Sequence, residues 1–180
     1  MYDHNIQQLP FQNPKFHWKK IGITEKMGLN NNLKTLFEMI QENVHSNEKN
    51  MILKMDIEGG EWNILNEINS NILLKFKYII VEFHINNTYL PIYSNVFKKL
   101  NKTHQIFHLH RNNCCGIIKF DGVYICAALE ISYVIRENNK FILSSDNFPV
   151  KNIDFPNIKN RKDINDILNI YQFENIFQSG

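Results

Sequence analysis

The chain has 180 residues, 43% of them hydrophobic and 21% charged, and its 20 basic and 18 acidic side chains leave a formal charge of +2. That length suits one α/β domain with a core that needs no disulfide or metal, and it falls well short of the roughly 250 residues of a (β/α)8 barrel. Its 26 Ile and 13 Phe exclude disorder, and the balance of charge, with no long run of one sign, excludes a dedicated nucleic-acid or membrane-surface binder.

Apolar runs of strand length alternate with helical spacings, the pattern of βαβ units and a mostly parallel sheet. Lys15 to Ile23 reads as a strand. Leu33, Leu36, Phe37, Ile40 and Val44 recur at helical intervals and predict an amphipathic helix over 33–44. Met51 to Ile57 predicts a buried strand, Glu58-Gly59-Gly60 its turn, and Glu61 to Ile68 a helix with Trp62, Leu65 and Ile68 on one face. Lys77 to Phe83 is nearly continuous in apolar residues, as a strand covered on both faces should be. A helix over Ile92 to Leu100 and a strand over His104 to His110 follow. From Cys114 to Arg136 the pattern becomes antiparallel, with Asp121-Gly122 as a hairpin turn and Leu129 to Ile135 as the final strand. Residues 137–160, rich in Asn and Pro, are expected to wrap the surface, and Asp163 to Ile170 to form a short helix capped by Asp163. No repeat or domain boundary is visible.

Met1 to Pro10 contains no apolar core of a secretory signal, and the most apolar window, Ile72 to Ile85, is broken by Lys75, Lys77 and Glu82. Three cysteines, two of them adjacent, make no disulfide framework. The expectation is a soluble cytoplasmic protein. Asn is the commonest residue at 27, Lys reaches 17 and Ala only two, a bias toward A/T-rich codons, so lone Asn residues receive little weight.

The densest constellation is Lys54-Met55-Asp56-Ile57-Glu58-Gly59-Gly60-Glu61-Trp62, where a strand turns into a helix. Open α/β sheets bind ligands outside the carboxyl ends of their strands, and an Asp there can meet a substrate hydroxyl or a metal. The plain alternative is that Asp56 caps the turn and the glutamates are solvated. On the next strand, Glu82 and His84 are two apart and share a face. If the two strands are neighbours, Asp56, Glu82 and His84 can converge. A carboxylate near the end of an apolar strand is costly unless paired or used, the alternative here being a buried Glu82–His84 hydrogen bond. His104, His108 and His110 are expected on one side of their strand. Zinc sites of the Cys/His kind want paired cysteines at Cys-x2–4-Cys spacing, so Cys114-Cys115 argues against a zinc centre, and no metal is expected. The paired acids of Asp56-Ile57-Glu58 also suit glycoside hydrolysis, but the chain is too short for the usual barrel.

Lys54 to Trp62 followed by Val81-Glu82-Phe83-His84 resembles the FkbM-like methyltransferases, which use S-adenosylmethionine to methylate hydroxyls, and looks closest to bacterial members found among surface-polysaccharide and secondary-metabolite genes. Tyr2 to Ile6, Phe16 to Ile23 and Leu33 to Leu36 resemble the family's segments before that motif; Leu100 to Gln105, His108 to Asn113 and Leu129 to Val134 resemble those after it. The likeness spans residues 1–160, a partial methyltransferase domain, and leaves 161–180 as a C-terminal helix and tail.

The resemblance implies a Rossmann-like seven-stranded methyltransferase fold in strand order 3-2-1-4-5-7-6, mostly parallel with a C-terminal antiparallel hairpin. Aligned this way, the chain lacks the first strand and the Gly-rich loop: none of the seven glycines forms a G-x-G turn after a strand. The implied function is transfer of a methyl group to a hydroxyl of a sugar, polysaccharide or similar small acceptor. Asp56, Glu82 and His84 would be catalytic. Asp3, Gly22, Ile23 and Glu58 would meet the S-adenosylmethionine, and Glu61, His108 and His110 the acceptor. The alternative is a truncated, inactive fragment or an interaction module. Open sheet edges point to self-association or to a missing N-terminal fragment as partner.

Overall fold

The computed structural model describes residues 1–29, 31–86, 90–120, 123–137, 140–142, 144 and 149–164. It is mixed α/β and divides into two compact units, Met1–Glu48 and Lys49–Gly180, a division for which the sequence carries no linker signal. No helix among the described residues is long and apolar enough to cross a membrane.

In the first unit, β1 (Gly22–Ile23) pairs in parallel with β2 (Leu33–Lys34), and Tyr2 bridges Lys19. The strand expected over 15–23 is thus reduced to two residues and a bridge. A strand needs a ladder partner, and upstream of Gly22 Lys19 alone finds one among the described residues. Helix α1 (Leu36–Glu42) begins later than its apolar spacing suggests, because Thr35 and Glu38 form a capping box. Thr35 Oγ1 accepts from the Glu38 amide at 3.2 Å, and Glu38 accepts from the Thr35 amide at 2.8 Å.

The second unit runs β3 (Met51–Met55), α2 (Glu61–Glu67), α3 (Ser70–Leu73), β4 (Phe76–His84), α4 (Leu90–Thr103), β5 (His104–Arg111), β6 (Ile117–Phe120), β7 (Val123–Cys126) and β8 (Ala128–Ile135). Four strands form one mixed sheet in the order β3-β4-β8-β5, in which β3 and β4 are parallel and β8 runs antiparallel to both its neighbours. Among the described residues this sheet has four strands, and not the seven of the fold that the resemblance implies. Strands β6 and β7 pair as a separate antiparallel ribbon; the expected turn at Asp121-Gly122 lies outside the described residues, as do 165–170 of the expected last helix.

One face of the four-stranded sheet holds the core. Ile79, Val81, Phe83, Leu109, Ile131 and Tyr133 are buried there. Tyr93, Val96, Phe97 and Leu100 of α4, at the i, i+3, i+4, i+7 spacing of a helix stripe, are buried too. Trp62 of α2 joins the two layers, its ring 4.5 Å from Phe83 and 4.0 Å from Tyr93. The opposite face is only half covered. Strand β3 is therefore not the buried strand expected: it lies at the sheet edge, and Ile52 stands 65% exposed.

A bulge corrects the expectation for the histidines. Ile106 pairs with Tyr133 and His108 with Ser132, so Phe107 is the extra residue. His104 consequently lies on the core face, wholly buried with Nε2 2.9 Å from the Phe76 carbonyl, while His108 and His110 lie on the other. Residues 150–161 lie along β5 and β8, as a surface wrap should: the Ile158 amide donates to Asn113 Oδ1 at 2.8 Å and Asn157 donates to Glu130 at 3.1 Å.

Candidate functional site

Register builds the site. Met55, the last residue of β3, pairs with Val81, so Asp56 emerges level with Glu82 at the carboxyl end of both strands. Alternation on β4 puts Glu82 and His84 on one face, away from the aromatic layer. Ligating atoms of Asp56, Glu82 and His84 lie within 4.8 Å of one another. The neighbouring-strand condition set by the sequence is met.

Two further acids come from the turn after β3 and from the first residue of α2. Glu58 and Gly59 both have positive φ, 56° and 103°. A left-handed glutamate is a costly conformation, and strained residues of this kind collect at functional sites. This fold of the turn sends Glu58 outward, with its side chain 87% exposed and Oε2 3.4 Å from His84 Nε2. It sends Glu61 inward. Glu61 is fully buried; Oε1 accepts from the His84 amide at 2.7 Å and lies 3.2 Å from His84 Nδ1, while Oε2 accepts from the Gly59 amide at 2.9 Å. Trp62 completes the clamp, its Nε1 donating to the His84 carbonyl at 2.6 Å.

Glu82 sits in a row of titratable groups across three strands, since Glu82 pairs with Glu130 and Glu130 with His110. The two acids diverge. Burial first, and then the charge of Asp56, raise the Glu82 carboxyl above the usual carboxylate range, against the hydrogen bond that Asn112 Nδ2 donates to Oε1 at 2.6 Å. Glu130 is lowered, chiefly by its hydrogen bond with His110 Nδ1 at 3.4 Å, and His110 is raised by the same contact.

The other expected residues fall elsewhere. Glu61, expected against an acceptor, is enclosed and holds His84. His108 and His110, given the same role, face carboxylates: His108 Nε2 is 2.7 Å from Asp154, and His110 lies between Glu130 and Asp163 at 3.4 and 3.5 Å. Their imidazoles tie the 150–163 segment to the sheet. Asp3, Gly22 and Ile23 belong to the first unit. Asp3 Oδ1 accepts from the amides of Asn5 and Ile6 at 2.7 and 3.3 Å, closing its own turn. A Cβ on Gly22 would meet His4 Nδ1 and Leu33 Cδ2 at 2.8 Å, so those two side chains pack directly on its backbone. Asn112, which orients Glu82 and is 3% exposed, was not expected. Its one signal in the sequence is the Asn112-Asn113 pair directly after an apolar strand, in a chain where Asn is the commonest residue.

Comparison of the chain with protein-family models, with curated proteins and with solved structures gives no match.

Proposed function

We propose that the chain is an S-adenosylmethionine-dependent O-methyltransferase acting on a hydroxyl of a sugar, polysaccharide or similar small molecule. The convergence of Asp56, Glu82 and His84 at the carboxyl ends of two adjoining parallel strands carries this reading, because open α/β sheets take their ligands there. The strand order supports it as well. β3-β4-β8-β5, with β8 alone reversed, corresponds to the 4-5-7-6 portion of the order implied by the resemblance.

On the donor side the residues do not fit S-adenosylmethionine as they stand. Asp3 is engaged in its own turn, Gly22 is walled by His4 and Leu33, and no G-x-G turn exists to approach a ligand. What the chain supplies is acceptor chemistry. A hydroxyl entering between Asp56 and His84 meets Glu82, whose raised carboxyl is a better proton acceptor near neutral pH than an exposed one. Glu61 Oε1, already accepting from the His84 amide, meets Nδ1 of the ring as a donor and so turns Nε2 toward the hydroxyl.

The donor-side mismatch favours a second reading, a methyltransferase-like fragment or interaction module that no longer binds the cofactor. Calorimetry of S-adenosylmethionine against the purified chain separates the two: micromolar affinity supports the enzyme, and no heat supports the fragment. In an enzyme, Asp56→Asn abolishes transfer without altering the far-UV circular dichroism; unchanged turnover refutes the role of Asp56.

A further inference from the structure

We propose that Asp56, Glu82 and His84 form a binding site for a divalent cation of the Mn2+/Mg2+ class. Two carboxylates and one imidazole from adjacent strand ends present three donor atoms within 4.8 Å of one another. Donors about 2.1 Å from one ion lie roughly 3 to 4.2 Å apart, so side-chain rotations of less than ~1 Å close the set once the ion offsets the repulsion between the acids.

The surroundings are those of a built metal centre. A ligating histidine ordinarily gives its other ring N–H to a carboxylate, which fixes its tautomer. Here the fully buried Glu61 stands 3.2 Å from Nδ1 of His84 and leaves Nε2 for the ion. Ligating carboxylates are held in turn, and Asn112, 3% exposed, holds Glu82 at 2.6 Å. Glu82 is itself 92% buried, at 8% exposure, with Glu130 opposite it on β8, so it faces another acid across the ladder and gains from a cation on its open side. Two carboxylate oxygens with a single imidazole and no thiolate favour Mn2+ or Mg2+ over soft metals. Glu58, 3.4 Å from Nε2 and exposed to solvent, can swing in as a fourth ligand.

The site stands on its ligand geometry and does not require methyl transfer, so its test and the cofactor calorimetry fail separately. The probe is Mn2+ added to the metal-free full chain, read by loss of the free-ion electron paramagnetic resonance signal. One equivalent is expected to bind at micromolar concentration. Asp56→Asn and Glu82→Gln should each weaken binding at least tenfold, and Glu61→Gln, which touches no ion, by 10- to 100-fold. Asp56 is exposed, so Asp56→Asn leaves the fold as a control, checked by circular dichroism. No binding up to millimolar Mn2+, or binding that either ligand variant leaves unchanged, overturns the site.

Discussion

The carboxylate of Glu61 and the backbone and ring of His84 are joined at two points, Oε1 lying 2.7 Å from the amide nitrogen and 3.2 Å from Nδ1. The second residue of a strand-end motif is thereby fixed by the first residue of a helix 23 positions earlier. His84 reaches the cleft in one orientation because a buried acid, and not solvent, meets its inner edge.

Glu61→Ala leaves the His84 amide, its Nδ1–H and the Gly59 amide without their acceptor. An unsatisfied buried donor costs about 1–3 kcal/mol, and water entering the cavity recovers part of that. The expected loss is about 2–4 kcal/mol in urea unfolding, and Glu61→Gln, which keeps one acceptor oxygen, should lose roughly half as much. A loss below about 0.5 kcal/mol for the alanine variant would show that Glu61 does not hold the turn.

Trp62 couples the same residue to the core. Its indole N–H bonds the His84 carbonyl while its rings pack on Phe83, Tyr93 and Phe97. Trp62→Ala should cost about 3–5 kcal/mol, as loss of a buried aromatic does. Trp62→Phe keeps most of the packing and strands one carbonyl, for about 1–3 kcal/mol. If the two variants unfold at the same urea concentration, the hydrogen bond and not the packing dominates.

Much of the second unit is written in local pattern. The stripe Tyr93, Val96, Phe97, Leu100 specifies one buried helix face, the apolar run of β4 marks a central strand though one of its faces is only half covered, and the meeting of Asp56 with Glu82 and His84 follows once β3 and β4 are neighbours. Non-local facts were not legible. One extra residue at Phe107 moves His104 to the opposite face from His108, because the side-chain period of a strand is two. The inward turn of Glu61 depends on left-handed backbone at Glu58, which nothing in a glutamate announces. Asn112 and Asn113 were hidden by composition, although both are buried and bonded.

Two histidines give stability opposite dependences on pH. Burial holds the His104 imidazole below its ordinary 6.5, so it folds neutral. Above about pH 6.5 it adds no penalty; as pH falls through that value the unfolded chain takes up the proton first, and stability drops until the lowered folded value is passed. His110 is raised above 6.5, first by its hydrogen bond to Glu130, with Asp154 and Asp163 adding their charge. Its contribution is complete below pH 6.5 and is lost as pH rises through the higher folded value. Glu130, held low by the same bond, contributes above its ordinary 4.5 and loses that contribution as pH falls through its folded value. Urea unfolding from pH 4 to 9 should therefore show a flatter alkaline limb in His110→Gln and a flatter limb just below pH 6.5 in His104→Gln. Because His110 and Glu130 share one contact, Glu130→Gln should also flatten the alkaline limb. An alkaline limb unmoved in both variants of that pair would mean that the His110–Glu130 contact between β5 and β8 adds nothing to stability.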